Sequence, residues 1–187
     1  MKTTGCVLSP REYRTILEPP ASLEDTSRYG NDGVFTGAGE PDWAQLPSGL
    51  WVLDFDGIND IVTIGDCVAN IQTFIAWIKP DDITTRSIID LDGGTHSVEI
   101  DGASDITATG WAAPTIYVDA VVAAAVTVCW HFIAVTTATA IDASSVVLGQ
   151  EVSFYDGKLW NARLFTYVLT IDQIYSIYQN ERGWFGV

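Results

Sequence analysis

Two stretches of this chain constrain its fold more than any other feature. Thr73-Phe74-Ile75-Ala76-Trp77-Ile78 and Val128-Cys129-Trp130-His131-Phe132-Ile133-Ala134-Val135 are apolar on both faces of an extended chain. Side chains alternate sides along a strand, so such runs need cover on each side and belong at the centre of a sheet. Lys79-Pro80 ends the first. From residue 25 to about 166, short β-rich runs alternate with Gly, Asp, Asn and Pro, the rhythm of a β-sandwich or barrel. In Trp51-Val52-Leu53-Asp54-Phe55 the large residues 51, 53 and 55 share one face, and Asp56 to Asp60 return the chain into Ile61-Val62-Thr63-Ile64, which predicts a hairpin. Ser87 to Leu91, Ser97 to Ile100, Thr115 to Val118 and Gly157 to Phe165 add further strands, for about ten in all.

One helix is expected near the end. Thr170 with Gln173 three residues on forms a capping box, and Ile171, Ile174, Tyr175 and Tyr178 fall on one face. The chain has 187 residues, 48% of them hydrophobic and 18% charged, which suits one domain with a large core. Residues 1–24 read as a lead-in, with Tyr13 to Leu17 a candidate edge strand ended by Pro19 and Pro20. Residues 25–180 form the domain, and 181–187 an aromatic tail.

The formal net charge of −15 repels phosphate backbones and anionic membranes, which argues against a nucleic-acid partner. No conventional export signal follows Met1, and the apolar stretch from Ala120 to Val126 is far short of a membrane span, so membrane insertion is not expected. Cys6, Cys67 and Cys129 are too widely spaced for a zinc site or a disulfide framework. Cys129 reads as a core residue, and a Cys67–Cys129 bridge stays open.

Several motifs in order resemble the concanavalin A-like, laminin G-like jelly roll. They begin with the loop Asp25-Thr26-Ser27-Arg28-Tyr29-Gly30-Asn31-Asp32-Gly33, followed by Leu53-Asp54-Phe55-Asp56-Gly57 with Asn59-Asp60. Phe74 to Pro80 and Trp130 to Thr136 come next, and Tyr155-Asp156-Gly157-Lys158-Leu159 with Ala162-Arg163-Leu164-Phe165 resembles the last strand before a closing helix. The resemblance covers residues 25–180 and implies an all-β fold, an antiparallel β-sandwich of jelly-roll type with one short C-terminal helix. It further implies a structural calcium ion held at Asp25, Asn31 and Asp32, hard oxygen ligands of the right kind. Turn stabilisation by side-chain to backbone hydrogen bonds accounts for the same residues equally. The chain departs from the pattern at Trp160-Asn161, where the family often carries an acidic residue.

The fold leaves function open, because it hosts lectins, adhesion modules, glycosidases and virion proteins. A glycosidase needs two carboxylic acids flanking the scissile bond. The one candidate, Glu99-Ile100-Asp101, lacks the family's second Glu and reads as a solvated edge pair. His96 and His131 have no nucleophile elbow to serve, so no catalytic residue is assigned. Trp51, Trp77 and Trp130 read as core, whereas Trp43, Trp111 and Trp184 fall in loops between the strand runs. An indole stacks on a sugar ring and nearby carboxylates accept hydroxyl hydrogen bonds, so Trp43, Asp90, Asp92 and Trp111 are candidate ligand residues. The leading expectation is a non-catalytic, lectin-like module that binds a glycan or a protein surface. The rival is a structural virion protein, a bacteriophage capsid-decorating or tail-associated component that contacts other capsid proteins or itself. It is motivated by the acidic surface and by a tail, Tyr178 to Phe185, that resembles phage-encoded members and offers aromatics to a neighbouring subunit. Such a protein would sit on the virion surface. A glycoside hydrolase ranks third.

Overall fold

The computed structural model describes residues 5–14, 19–35, 39–67 and 69–187. These residues form an antiparallel β-sandwich closed by one short helix. The larger sheet runs β12 (Val121–Val122), β11 (Thr115–Val118), β13 (His131–Asp142), β7 (Asn70–Pro80), β15 (Asp156–Phe165), β5 (Trp51–Asp56), β4 (Asp42–Gln45), with β1 (Cys6–Leu8) also on β15. The smaller runs β10 (Ile106–Thr109), β9 (Ser97–Ile100), β8 (Arg86–Asp90), β14 (Val146–Leu148), β6 (Val62–Gly65), β3 (Gly33–Phe35), β2 (Ser22–Leu23).

The two doubly apolar stretches lie at the centre, as their composition requires, since β7 pairs with both β13 and β15. Their alternate residues serve two cores. Phe74, Ala76, Ile78, Ile133 and Val135 pack inward with Leu53, Phe55 and Leu159 against Val62, Val98, Ile100 and Leu148 of the smaller sheet. Ile75, Trp77, Phe132, Ala134 and Trp160 point outward into a second cluster, roofed by Ile174 and Phe185. The roof is α1 (Ile171–Glu181) with a 3-10 turn over Arg182–Trp184. Its capping box forms as expected: Thr170 Oγ1 accepts from Gln173 N at 3.3 Å, and Gln173 Oε1 accepts from Thr170 N at 2.9 Å.

Several expectations are corrected. Trp51–Phe55 and Ile61–Ile64 do not form a hairpin: β5 pairs with β4 and β15, while β6 pairs with β3 and β14 in the opposite sheet. The turn between them is an arch from sheet to sheet, because both runs carry inward apolar residues that face each other across the core. The strand expected from Val128 starts at His131, and Cys129, expected in the core, is exposed on the loop before it. All three cysteines are free, so Cys67 and Cys129 are not bridged. On α1 the buried residue is Ile174, with Tyr178 stacked on Trp77, while Ile171 and Tyr175 face solvent. Fifteen strands are found among the described residues because pieces of two or three residues lack a periodic signal. Of the expected strand from Tyr13 to Leu17, Tyr13 and Arg14 are not in a strand and residues 15–17 lie outside the described residues.

One irregularity places the site below. The first half of β15 pairs with β5 up to Leu159↔Leu53, and the second half pairs with β1 from Leu164↔Leu8. Between them the register of β15 on β7 shifts from Trp160 to Arg163. Asn161 sits in this bulge at φ +55, a left-handed conformation that Asn tolerates better than most L-residues. At Asn161 the strand therefore changes neighbours.

Candidate ligand-binding groove

A groove of about 500 Å³ opens at the sandwich edge where β4 meets β2 and β3. Pro19, Ala21, Phe35, Pro41, Trp43 and Trp51 supply its apolar lining, and Glu40 and Asp42 place exposed carboxylates at its mouth. Its size falls within the range of small-molecule sites, ~300–1,000 Å³. Cross-strand pairing orders the wall: Trp43 lies opposite Leu53 and Gln45 opposite Trp51, all on the inner side of the hairpin. At this last strand the inner side runs out from under the smaller sheet, so both indoles stay half-buried. Trp43 is held rigidly, its Nε1 donating to the Pro20 carbonyl at 3.0 Å and its ring meeting Tyr13 edge-on at 5.4 Å and Phe35 at 6.0 Å.

Of the candidate ligand residues, Trp43 alone lines this groove. Trp111 follows β10 at the opposite edge and is 5% exposed, so its ring belongs to the inner core rather than to an open loop. Asp90 and Asp92 end β8 in mid-sheet. The buried carboxylate of Asp90 accepts from the amides of Asp92, Gly93 and Gly94, and Asp92 accepts from those of Thr95 and His96 and pairs with His96 Nδ1 at 2.5 Å. Burial pushes Asp92 up, but the bonds from His96 and Thr95 outweigh it and hold the carboxyl below its ordinary range. Both carboxylates fasten a turn. The groove residue missed from the sequence is Trp51, which reads as core; its position two residues after Gly49 of the Pro47-Ser48-Gly49 turn, at the mouth of a hairpin, is the signal that could have found it.

The opening loop is fastened in the same way. Asp25 Oδ1 accepts from Ser9 N at 2.9 Å and Ser27 N at 2.8 Å; Oδ2 accepts from Ser27 Oγ at 2.6 Å and Asn31 N at 2.8 Å. Asp32 accepts from Asp25 N, and Asn31 Nδ2 donates to the Val7 carbonyl. Among the described residues no group of three or more His, Cys, Asp or Glu side chains is arranged to hold a metal.

Catalytic constellations do not form at the carboxylates weighed from sequence. Glu99 accepts from Thr109 Oγ1, while Asp101 accepts from the amides of Ala103 and Asp105 as a turn cap. His131 links Asp119 Oδ2 at 2.8 Å to Thr127 Oγ1 at 2.9 Å, the order of orienter, base and hydroxyl. The Thr127 amide also donates into Nε2 at 3.1 Å, so the lone pair a base would use already holds the loop in place. The aromatic tail is likewise committed within the chain. Phe185 stacks on Trp77 at 4.2 Å and Arg14 covers Trp184 at 3.9 Å, so both tail aromatics have partners within the chain.

Fold and groove together define a class, the jelly-roll-type β-sandwich with an aromatic edge groove. No protein-family model matches the chain, and no curated protein matches it in sequence. Solved structures do match. Domain 4 of AbnA, a GH43 extracellular arabinanase from Geobacillus stearothermophilus solved with arabinotriose, aligns over 94% of this chain and 100% of its own, with a TM-score of 0.58 and 16% identity. The Trypanosoma rangeli sialidase solved with sialic acid aligns over 95% of this chain and 33% of its own, with a TM-score of 0.59 and 14% identity. The botulinum neurotoxin serotype D binding domain aligns over 95% and 52%, with a TM-score of 0.56 and 13% identity. This chain thus spans about half of the toxin domain and a third of the sialidase. Likeness at these identities shows the fold.

Proposed function

We propose that the chain is a non-catalytic carbohydrate-binding module that takes a neutral glycan in the Trp43–Trp51 groove. The observation that carries the reading is the pairing of two half-buried indoles with two exposed carboxylates, Glu40 and Asp42, around one cavity. Indole faces cover the apolar side of a sugar ring, and carboxylates accept hydroxyl hydrogen bonds of the charge-assisted, stronger kind. The same carboxylates, on a chain of net charge −15, repel an anionic sugar, so the ligand is neutral. Binding domains among the structural neighbours, one of them solved with arabinotriose, support a recognition role.

Glycan-array screening followed by calorimetric titration tests this. Neutral glycans bind, sialylated ones do not, and Trp51→Ala lowers affinity by at least tenfold. Absence of binding to every neutral glycan would refute the reading.

A further inference from the structure

We infer that the gap behind the two indoles is a subsite for a single hydroxyl group of the bound sugar, selected by Asn161; this rests on the groove reading above. The gap follows from the strand exchange at the bulge. β5 pairs with β15 only as far as Leu159↔Leu53 and β1 only from Leu164↔Leu8, so neither strand is paired with β15 at Asn161. The space left is lined by Pro10, Arg11, Trp43, Trp51 and Asn161, with Leu53 and Leu159 below. It shares Trp43 and Trp51 with the groove, so the two indoles border both cavities.

Asn161 is 8% exposed, yet its buried Oδ1 has no hydrogen-bond partner among the described residues. A buried acceptor left unpaired is costly, and native proteins rarely keep one without a ligand or a water. The Tyr13 hydroxyl, on the ring that braces Trp43, is a second buried polar atom without a partner among the described residues. The bulge holds Asn161 in a left-handed conformation beside this gap, and such strained positions concentrate at binding sites. Arg11 does not fill the gap's need, because its guanidinium pairs with Glu24 at 2.8 Å.

Size limits the occupant. The gap holds about 10 Å³, room for about one oxygen atom and far too little for a ring. A sugar stacked in the groove therefore inserts one arm, an exocyclic hydroxymethyl or a ring hydroxyl, whose O–H donates to Asn161 Oδ1.

Calorimetry on the full chain tests the subsite, with methyl pentosides, methyl hexosides and arabinotriose as probes. For a sugar that binds, each singly deoxygenated analogue is titrated against wild type, Asn161→Gly and Asn161→Asp. Glycine suits the positive φ and removes the acceptor, while aspartate keeps an acceptor oxygen. Loss of one particular hydroxyl weakens wild-type binding about tenfold, Asn161→Gly weakens the parent sugar by the same factor and no longer distinguishes that analogue, and Asn161→Asp still does. The deoxy series on wild type remains decisive even if Asn161→Gly fails to fold. If Trp51→Ala abolishes binding but no deoxy analogue loses affinity, the subsite is overturned, the gap holds only water, and the groove reading stands. If no probe binds wild type, both fall together.

Discussion

Two regions of the molecule are rich in aromatic residues, and they solve opposite problems. On the outer face of the larger sheet Trp77, Phe132, Trp160, Tyr178 and Phe185 pack on one another, with centroids as close as 4.2 Å. Trp77 is fully buried, and its Nε1 donates to Glu181 Oε2 at 2.8 Å, which also accepts from Arg163 at 2.9 Å. At the β4 edge Trp43 and Trp51 remain half-buried around a cavity, and the Asn161 Oδ1 and Tyr13 hydroxyl near them lack partners among the described residues. Aromatic content is therefore a poor guide to function by itself. The distinction lies in how much of each ring the chain covers, fully at Trp77 and only in part at Trp43 and Trp51.

The sharpest test of that contrast is truncation in each region. Trp77→Ala costs about 3–5 kcal/mol in chemical denaturation, because it opens a large cavity under the helix. Trp51→Ala costs only about 1–2 kcal/mol yet removes glycan binding. Equal losses of stability would erase the distinction. Next in size is Glu181→Ala, which strands Trp77 Nε1 and the Arg163 guanidinium, both with most of their surface buried. It lowers stability by about 2–3 kcal/mol with glycan affinity unchanged.

A smaller effect comes from the acidic end of the sandwich, where Asp82 binds Arg86 through two nitrogens. The Arg86 guanidinium and the Thr84 donors hold Asp82 well below the usual carboxylate range. Neighbouring Asp156 shifts the other way, raised by burial and by Asp82, Asp81 and Asp56 despite Arg86. A depressed carboxylate contributes stability above its unfolded pKa, ~3.9, and loses it as pH falls through the folded value. Asp82→Asn thus costs about 0.5–1 kcal/mol at pH 7, since the pair is partly solvated, and the deficit shrinks in melts recorded below pH 4. Asp156 has the opposite pH dependence: its raised carboxyl favours the folded state at low pH, and that stability is lost as pH rises through the folded value.

Thiol chemistry separates surface from core without any mutation. Burial pushes the Cys6 thiol up to about 11 and that of Cys67 up to about 12, whereas Cys129 is exposed. A thiol reagent applied to the native protein therefore labels Cys129 alone, and the other two react after unfolding. Smallest of all is the effect of chelation. With Asp25 taken up by four protein donors, the melting temperature is the same in calcium and in chelator. A rise in calcium would restore the ion expected from the resemblance.

The centre of this fold was legible from residues, and its periphery was not. Phe74 to Ile78 and Phe132 to Val135 announce central strands because both faces are apolar, and Thr170 with Gln173 announces the helix start. The partner of β5 was illegible because an arch and a hairpin begin with the same Asp-Gly turn signal. Half of the groove was visible in Trp43. Trp51 was hidden because its strand reads as core from inside the run, and only strand order puts it at an edge. Asn161 stood out as a departure from the family pattern, but its consequence needs the change of neighbours along β15, a non-local fact. Asp90 and Asp92, read as acceptors of sugar hydroxyls, hold backbone amides of a turn, a role that a carboxylate seen in sequence does not announce.

A spectrum of the tryptophan indole N–H signals, recorded while a neutral glycan is added, addresses the groove without any substitution. Seven indoles report separately. A glycan seated between the two edge indoles shifts the Trp51 and Trp43 signals with saturation and leaves those of Trp77 and Trp111 in place. Shifts confined to Trp130 and Trp184, which line a separate cavity beside the tail, with Trp51 unmoved, would contradict a glycan site at the β4 edge.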